Sequence, residues 1–218
     1  MKNLLIFVDP LKDFNKEHQV LAKIQIDWSL NFWKPEDIVL VTNFPYEYRG
    51  VKAVQVEDDC YYPAFNRATK LPVINRMFEK GMINDEFWFH DFDVFQLIPM
   101  ESKSKFAAVL YGKNPKAPEY KWNAGSFFFN KDSKDIFSKI EGLMWEKEID
   151  EETALMKMIE EGFTDYEELD NSYCVHIYNP KVDNPKVLHF HPYKKHHREK
   201  FTLPTNLTEI FIKHGIQT

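Results

Sequence analysis

Apolar residues fall into two kinds of pattern at the start of the chain. Residues 3–8 and 37–42 are largely apolar runs of strand length, the pattern of strands that are covered on both faces of a sheet. Between these runs, apolar residues recur at close to helical spacing over residues 14–32, until Lys34 and Pro35 end the pattern. The sequence therefore predicts a buried strand, a helix and a second buried strand.

The same alternation continues along the chain. Residues 51–56 alternate as a third strand does, residues 61–80 have helical spacing and stop at Gly81, and residues 86–90 form another apolar run. The order strand, helix, strand, strand, helix, strand predicts an α/β fold with a mixed, mostly parallel central sheet flanked by helices. A further helix is predicted near the C terminus, at about residues 204–214.

Composition adds limits on size, compartment and partners. With 218 residues, of which 44% are hydrophobic and 16% aromatic, a single domain over residues 1–218 is expected. The net charge of −6 gives no electrostatic basis for binding nucleic acid. No apolar run approaches the roughly 20 residues that span a bilayer, and Asp9 and Pro10 come too early for a signal peptide. A soluble, cytoplasmic protein is expected, with Cys60 and Cys174 as reduced thiols.

Two acids follow the last of these strands, in the segment FWFHDFDVF at residues 87–95. Side chains at i and i+2 of an extended segment point to the same side, so Asp91 and Asp93 can face one point while Phe92 faces the core. The pair lies at the carboxyl end of a strand, where open α/β sheets bind their ligands. Two close carboxylates raise each other's pKa unless a cation lies between them, and oxygen ligands suit Mg²⁺ or Mn²⁺. The alternative is a pair of solvated turn acids.

Three segments together resemble the motifs of the GT-A glycosyltransferases. Residues 87–94 resemble the strand and D-x-D motif of that family. Residues 121–130 (KWNAGSFFFN) resemble the F-N-x-G strand of its glycogenin-like group. Residues 187–195 (VLHFHPYKK) resemble its late H-F-x-G-x-x-K segment, with Pro192 in the place of the glycine. The three motifs follow one another in the order of that family.

The resemblance implies a fold, an activity and a cofactor. The fold is expected to be GT-A (Rossmann-like), with a nucleotide-binding part at about residues 1–95 and an acceptor-side part at about 96–200. The activity is transfer of a sugar, expected to be a hexose, from a nucleoside-diphosphate sugar such as a UDP-sugar to a hydroxyl of a glycan or another acceptor. The cofactor is Mn²⁺ or Mg²⁺, and the glycogenin-like motifs favour retention of configuration over inversion.

The resemblance also assigns roles to residues of the donor site. His189 is the third metal ligand beside Asp91 and Asp93, and a neutral imidazole can complete a site that two carboxylates begin. Lys195 meets the diphosphate of the donor, where its ammonium offsets the charge of the leaving group. The residues implied to contact the donor nucleotide or sugar are Asp9, Arg67, Lys70, Asn123 and Gly125. A solvated basic run around Lys195 and a solvated helix face are the alternatives for the cations.

Three acids precede a later helical pattern, namely Asp150, Glu151 and Glu152. Acids in the first turn of a helix stabilise it through the helix dipole, which is the ordinary explanation. In GT-A enzymes an acidic or amide residue at this place contacts the acceptor or acts as a base. An inverting enzyme needs a carboxylate within hydrogen-bond reach of the acceptor hydroxyl. All three acids are catalytic candidates, with Glu151 first.

Three other functions are compatible with parts of the sequence. A metal-dependent phosphoesterase or nuclease would use the D-x-D acids but needs further carboxylates near them, and the next candidates are Asp132 and Asp135. A non-catalytic sugar- or partner-binding domain would use the aromatic residues as a contact surface. The N-terminal LLIFVDPLKDF is similar to the start of isochorismatase-like cysteine hydrolases, but Cys60 comes too early and Cys174 too late for their nucleophile.

Overall fold

The computed structural model describes residues 1–103, 105–111, 121–178 and 180–217 of the chain. Its strands are β1 Lys2–Phe7, β2 Ile38–Thr42, β3 Glu47–Tyr48, β4 Val51–Lys52, β5 Val54–Gln55, β6 Phe87–His90, β7 Val94–Gln96, β8 Ala107–Tyr111, β9 Lys121–Phe129, β10 Glu167–Leu169, β11 Val175–His176 and β12 Val187–His189. Its α-helices are α1 Lys16–Ser29, α2 Lys70–Glu79, α3 Lys134–Lys147, α4 Glu151–Glu160, α5 Lys195–Arg198 and α6 Thr205–Lys213. None of the helices in the described parts of the chain combines the length and the apolar composition that a bilayer span requires.

Seven of the strands form one sheet, in the order β10-β8-β9-β6-β1-β2-β5. Strand β1 lies between β6 and β2 and runs parallel to both. The pairs β2 with β5 and β8 with β10 are also parallel, whereas β9 runs antiparallel to β6 and to β8. The mixed, mostly parallel sheet predicted from the sequence is therefore confirmed.

Helices cover both faces of this sheet. Leu4 of β1 belongs to a core that α2, α3 and α4 close. Leu5, the next residue, belongs to a second core on the side of α1. Both leucines are fully buried, and such burial stabilises the fold by about 1.5–3 kcal/mol for each side chain. Because both faces are covered, β1 is a continuous apolar run in the sequence.

A second sheet of three short strands, β11-β12-β7, joins segments that are far apart in the sequence. Strand β12 pairs antiparallel with β7, so that His189 lies opposite Val94. The N–H of Phe190 then donates to the carbonyl of Asp93, at 3.0 Å. The Phe190 ring packs in a core with Phe95 and with α6. This pairing holds residue 189 beside the D-x-D loop.

The strand predicted over residues 51–56 differs from the structure. The chain forms two short strands there, of which β4 pairs with β3 and β5 pairs with β2. It changes partner at Ala53, whose N–H donates to the carbonyl of Tyr46 at 2.8 Å. Two competing partners thus interrupt an alternating pattern that looks continuous in the sequence.

The second predicted helix begins later than its pattern indicates. A 3-10 turn at Asn66–Thr69 precedes α2, which starts at Lys70. The N–H of Tyr62 donates to the Thr69 hydroxyl at 3.0 Å, so the residues before the turn bond to a side chain instead of forming helix. The end of the helix is as predicted, because Gly81 follows it with a φ of +65°.

Candidate metal and donor site

The D-x-D loop lies where β6 ends, at the carboxyl edge of the central sheet. The N–H of Asp91 donates to the carbonyl of Gly125 at 2.9 Å, and the N–H of Val94 donates to the carbonyl of Asp91 at 3.2 Å. Phe92, between the two acids, is buried in the core on the side of α1. Asp91, Phe92 and Asp93 all line a cleft. Phe92 and Asp93 form a turn, so the extended segment predicted for residues 91–93 is wrong, although the two carboxylates still lie close together.

His189 completes a group of three potential metal ligands. One ligand atom from each of Asp91, Asp93 and His189 lies within 4.8 Å of the other two. A Cβ added to Gly125 would lie 2.7 Å from His189 Cε1 and 3.1 Å from Asp91 Oδ2, so the close approach of these groups requires a glycine. Two carboxylates and an imidazole suit Mn²⁺, and the three residues therefore fit a divalent cation.

The charges within this group depend strongly on one another. Burial alone would raise the pKa of Asp93, but the His189 imidazole, 3.5 Å away, lowers it to about 2. Burial alone would lower the pKa of His189, but the Asp93 carboxylate raises it well above its usual value. Burial raises the pKa of Asp91, and the nearby Lys70 ammonium offsets this increase only in part. The His189 imidazole faces Asp93, and the Lys70 ammonium lies between Asp91 and Glu151, so these acids lie beside positive groups at the place where a dication would bind.

Asn123 and Cys174 contact the other side of the His189 ring. The Asn123 Oδ1 accepts from the N–H of Gly125 at 2.8 Å, and this bond fixes the orientation of the amide. The Asn123 Nδ2 therefore faces Cys174 Sγ at 2.7 Å and His189 Nδ1 at 3.2 Å. Because these contacts are made at Nδ1, the Nε2 atom is the one directed towards Asp93.

Lys70 links the D-x-D loop to the start of α4. Its Nζ is 3.5 Å from Asp91 Oδ1 and 3.1 Å from Glu151 Oε1, and its side chain is only 6% exposed. Burial alone would lower the pKa of Lys70, but the Asp91 and Glu151 charges outweigh it and raise that pKa. The other carboxylate oxygen of Glu151 is buried and has no hydrogen-bond partner in the described part of the chain. Glu151 therefore keeps one oxygen without a partner in that part of the chain, but the oxygen is buried and Glu151 does not line the cleft.

The neighbouring acids differ from Glu151 in their contacts. Asp150 is the N-cap of α4 and accepts from the Thr153 N–H at 2.9 Å. It also accepts from Arg67 Nη2 at 2.5 Å. Burial alone would raise the pKa of Asp150, but these hydrogen bonds lower it. Burial raises the pKa of Glu152, and the charge of Glu151 adds to the effect.

A cleft of about 300 Å³ opens beside these groups. It lies between the end of β1, the start of α1, the start of α2 and the D-x-D loop. The residues with predicted site roles that line it are Asp9, Arg67, Lys70, Asp91 and Asp93. Asp9 also closes the turn after β1, because its Oδ1 accepts from the Leu11 N–H at 2.9 Å. These residues come from three separate segments, and the fold brings them to one place.

Polar residues without a predicted role also line this cleft, and Asn15, His18 and His191 are among them. Asn15 is the N-cap of α1 and accepts from the His18 N–H at 2.9 Å. His191 Nε2 lies 2.9 Å from Glu17 Oε1. His191 follows His189 by two residues, and in an extended segment this spacing places two side chains on the same side. This spacing is the feature of the sequence from which a role for His191 could be predicted.

Lys195 lies on α5, and its Nζ is 3.7 Å from Glu199 Oε1. Its side chain is 77% exposed, and it is not among the described residues that line the cleft. Asn123 and Gly125 contact the Asp91, Asp93 and His189 group from β9 and likewise lie outside that lining. The roles of Lys195, Asn123 and Gly125 stay predictions.

No family model matches the sequence, and no curated protein matches it. Solved structures do match the fold. The glycosyltransferase GlyE of Streptococcus pneumoniae TIGR4 has a TM-score of 0.61 at 12% identity, over 99% of this chain and 61% of GlyE. The galactosyltransferase LgtC in complex with donor and acceptor sugar analogs has a TM-score of 0.60 at 12% identity, over 100% of this chain and 97% of LgtC.

A glycosyltransferase involved in the glycosylation of the major capsid of PBCV-1 has a TM-score of 0.53 at 13% identity, over 87% of this chain and 93% of that chain. This chain spans less than two thirds of GlyE but nearly the whole length of the other two proteins. The strand order and these superpositions confirm the predicted fold: the chain has the GT-A fold of glycosyltransferases.

Proposed function

We propose that this protein is a glycosyltransferase that uses a divalent cation to move a hexose from a nucleoside-diphosphate sugar to an acceptor hydroxyl. The main support is the group of Asp91, Asp93 and His189, whose ligand atoms lie within 4.8 Å of one another beside the cleft. The cleft lies at the carboxyl ends of β1 and β6, where open α/β sheets bind ligands. Its volume of about 300 Å³ is that of a small-molecule site.

Asp91, Asp93 and His189 Nε2 would hold Mn²⁺ or Mg²⁺. The bound cation supplies positive charge for the diphosphate of the donor as it leaves. Arg67, at the edge of the cleft, has a largely exposed side chain that can turn towards a phosphate. Lys195 is a candidate for a further phosphate contact, since its exposed pair with Glu199 contributes little in water.

The reacting sugars are expected between β9 and the start of α4. Asn123 and Gly125 are the candidates for contact with the donor sugar, and Asp9 for contact with the nucleoside.

Asp150 already caps a helix and binds Arg67, whereas Glu151 keeps an oxygen without a partner in the described part of the chain. Glu152 is a further candidate, because a raised pKa favours proton exchange near neutral pH. Glu151 is the first candidate, and the glycogenin-like motifs favour retention.

The decisive variant is Asp93→Asn, which replaces an anionic ligand by a neutral amide of the same shape. We expect it to lower Mn²⁺-dependent release of nucleoside diphosphate from a nucleotide sugar by about 100-fold or more, because charge stabilisation at the leaving group is lost. Enzyme-coupled detection of the released nucleotide measures this rate.

The matched control is Asp59→Asn. Asp59 belongs to the other group of potential ligands in the described residues, which consists of Glu57, Asp59 and Cys60, and it is exposed. We expect its substitution to leave the rate unchanged. Full activity of Asp93→Asn would contradict the metal site, and hydrolysis of a simple phosphodiester to a monoester and an alcohol would favour a hydrolase instead.

The donor can be identified by thermal shift with UDP-, GDP- and dTDP-sugars, each with and without Mn²⁺. A ligand that binds only the folded protein stabilises it by about 2.7 kcal/mol at 100 times its dissociation constant. A rise in melting temperature that needs both the sugar nucleotide and Mn²⁺ is the expected result.

A further inference from the structure

A second groove lies between α2 and α3, away from the cleft. Its volume is about 340 Å³, and none of its lining residues lines the cleft. Asn75 and Glu79 of α2 form one side. The other side is a stripe of α3 at helical spacing, which consists of Lys134, Ser138, Glu141, Gly142 and Trp145. The two helices thus form a concave surface that combines polar side chains with one aromatic ring.

Gly142 has no explanation in the packing of the fold. It lies in the interior of α3, where alanine stabilises a helix more than glycine does. A Cβ added to it would meet no atom of the described residues within 4 Å, so there is room for a side chain. Because Gly142 lines the groove, the missing side chain keeps the groove open.

Trp145 supplies a large apolar surface at this groove. It is 48% exposed, although a tryptophan usually buries most of its area. Its Nε1 donates to Glu141 Oε1 at 3.3 Å, and the ring of Tyr62 packs against it in a T-shaped arrangement at 4.6 Å between centroids. These contacts hold the indole in place, so that a ligand could bind to it at a low cost in conformational entropy.

Asn75 supplies a buried polar group at the same groove. It is 7% exposed, and its Nδ2 donates to the Phe137 carbonyl at 3.1 Å and to the Glu141 carboxylate. Both partners accept only, which fixes the orientation of the amide. Its Oδ1 has no hydrogen-bond partner in the described part of the chain. This oxygen is itself buried, so a donor from a ligand in the groove would bond to it after a shift of the Asn75 side chain.

We propose that this groove binds a neutral sugar unit of a glycan. The face of an indole carries partial negative charge and suits the C–H groups of a pyranose ring. Asn75, Ser138 and the two carboxylates can bond to hydroxyl groups. The groove lining has two carboxylates, Glu79 and Glu141, and one cation, Lys134. Glu79 is also paired with Arg76 at 3.0 Å between Oε2 and Nε, so the groove carries little net charge, which favours a neutral sugar over an acidic sugar or a phosphate. The site goes beyond the function proposed for the cleft and does not depend on it, because binding here needs neither metal nor donor.

The test compares variants of the whole chain against neutral tri- and tetrasaccharides of glucose, galactose, mannose and N-acetylglucosamine. Saturation-transfer NMR and titration calorimetry, without metal or nucleotide, measure binding. We expect Gly142→Ala to weaken binding of the best oligosaccharide by about tenfold or more, because its Cβ would project from the groove wall into the space of the sugar ring. The same variant should raise the melting temperature by about 1–4 °C, since alanine favours the helix. A loss of binding together with a gain in stability excludes misfolding as the cause.

Further variants define the outcome. Trp145→Ala should abolish binding and Trp145→Phe should retain part of it, whereas Lys139→Ala, at an exposed position of α3 outside the groove, should bind as the wild type does. Asp93→Asn should also bind normally, which separates this site from the cleft. The proposal is overturned if no neutral oligosaccharide binds at millimolar concentration, if Gly142→Ala and Trp145→Ala bind as the wild type does, or if only acidic oligosaccharides or peptides bind.

Discussion

Cys174 contacts His189 on the side of the ring that faces away from the two acids, with 3.7 Å between Sγ and Nδ1. An imidazole that binds a cation through Nε2 keeps its proton on Nδ1, and this N–H can donate a hydrogen bond to the Cys174 sulfur. The Asn123 Nδ2, 3.2 Å from Nδ1, is itself a donor and cannot take that role. We expect Cys174→Ala to weaken Mn²⁺ binding by about tenfold or more, as the loss of such a partner does in other metal sites. Cys174→Ser keeps an acceptor and should weaken binding less. Titration calorimetry with Mn²⁺ measures the affinity.

The matched control for this prediction is Cys60→Ala. Cys60 is also a buried cysteine, and burial raises the pKa of its thiol to about 11. Its substitution removes a comparable volume but lies away from His189, so we expect no change in Mn²⁺ affinity. Equal affinities for the two alanine variants would show that Cys174 acts only through packing.

At the scale of single residues, the sequence predicts those features of the site that a short sequence pattern specifies. The apolar run of β6 and the resemblance place the D-x-D acids at the end of that strand, and the resemblance adds His189 as the third member of the group that the structure brings together. The strand period predicted for residues 91–93 is wrong, because Phe92 and Asp93 form a turn. Cys174 could not be predicted, because it reaches His189 only through the pairing of β11 with β12. A contact that depends on strand register leaves no local spacing in the sequence.

At the scale of elements, the start of α4 combines a structural and a candidate catalytic role. Asp150 accepts from the Thr153 N–H and from Arg67. We expect Asp150→Ala to lower the free energy of unfolding by about 0.5–2 kcal/mol, since the helix loses its cap. Asp150→Asn keeps an oxygen at the cap and loses only the charge towards Arg67, whose side chain is 61% exposed, so its effect should be small.

Thermal unfolding distinguishes the two variants of Asp150, because about 1 kcal/mol shifts the midpoint by roughly 2–4 °C in a domain of this size. The Ala variant should melt lower than the Asn variant by this amount or more. Equal midpoints for the two would mean that the ion pair with Arg67, and not the cap, is what stabilises the start of α4.

The elements that the sequence predicts best are those with a long, regular pattern. Strands β1 and β2 are recognisable because both of their faces are buried, and helix α1 is recognisable because its apolar residues recur at helical spacing. The single strand predicted over residues 51–56 is wrong, since two different partners compete for that segment. Strands β7 and β11 have three and two residues and are too short to give a pattern, although they position His189.

At the scale of the whole molecule, Asp27 joins α1 to the C-terminal helix. Its Oδ2 accepts from Lys213 Nζ at 2.6 Å and from His214 Nε2 at 2.9 Å, both at the end of α6. The same oxygen accepts from the Tyr48 hydroxyl at 3.3 Å, and Arg49 Nε lies 3.7 Å from Oδ1. Burial alone would raise the pKa of Asp27, but the hydrogen bonds from Lys213 and His214 lower it. Helix α6 packs in the same core as strand β12, which carries His189. By fixing α6, the Asp27 carboxylate therefore helps to stabilise the strand that positions His189.

The free energy of unfolding should therefore depend on pH through Asp27. Because its pKa is lower in the folded than in the unfolded chain, its stabilisation is complete above about pH 4 and is lost as the pH falls through the lowered value. We expect Asp27→Asn to reduce the free energy of unfolding by about 1–3 kcal/mol at neutral pH, and the difference from the wild type to shrink below about pH 4.

Urea unfolding at several pH values measures this difference, with Asp165→Asn as the control. Asp165 pairs with Lys105 at the surface, where its side chain is 59% exposed, so its substitution should have almost no effect at any pH. If the difference in the free energy of unfolding between Asp27→Asn and the wild type stays constant below pH 4, the shape of the side chain at position 27 is what matters. In that case the charge of Asp27 would not be what holds the C-terminal helix, and α6 would depend on its apolar contacts with Phe95 and Phe190 alone.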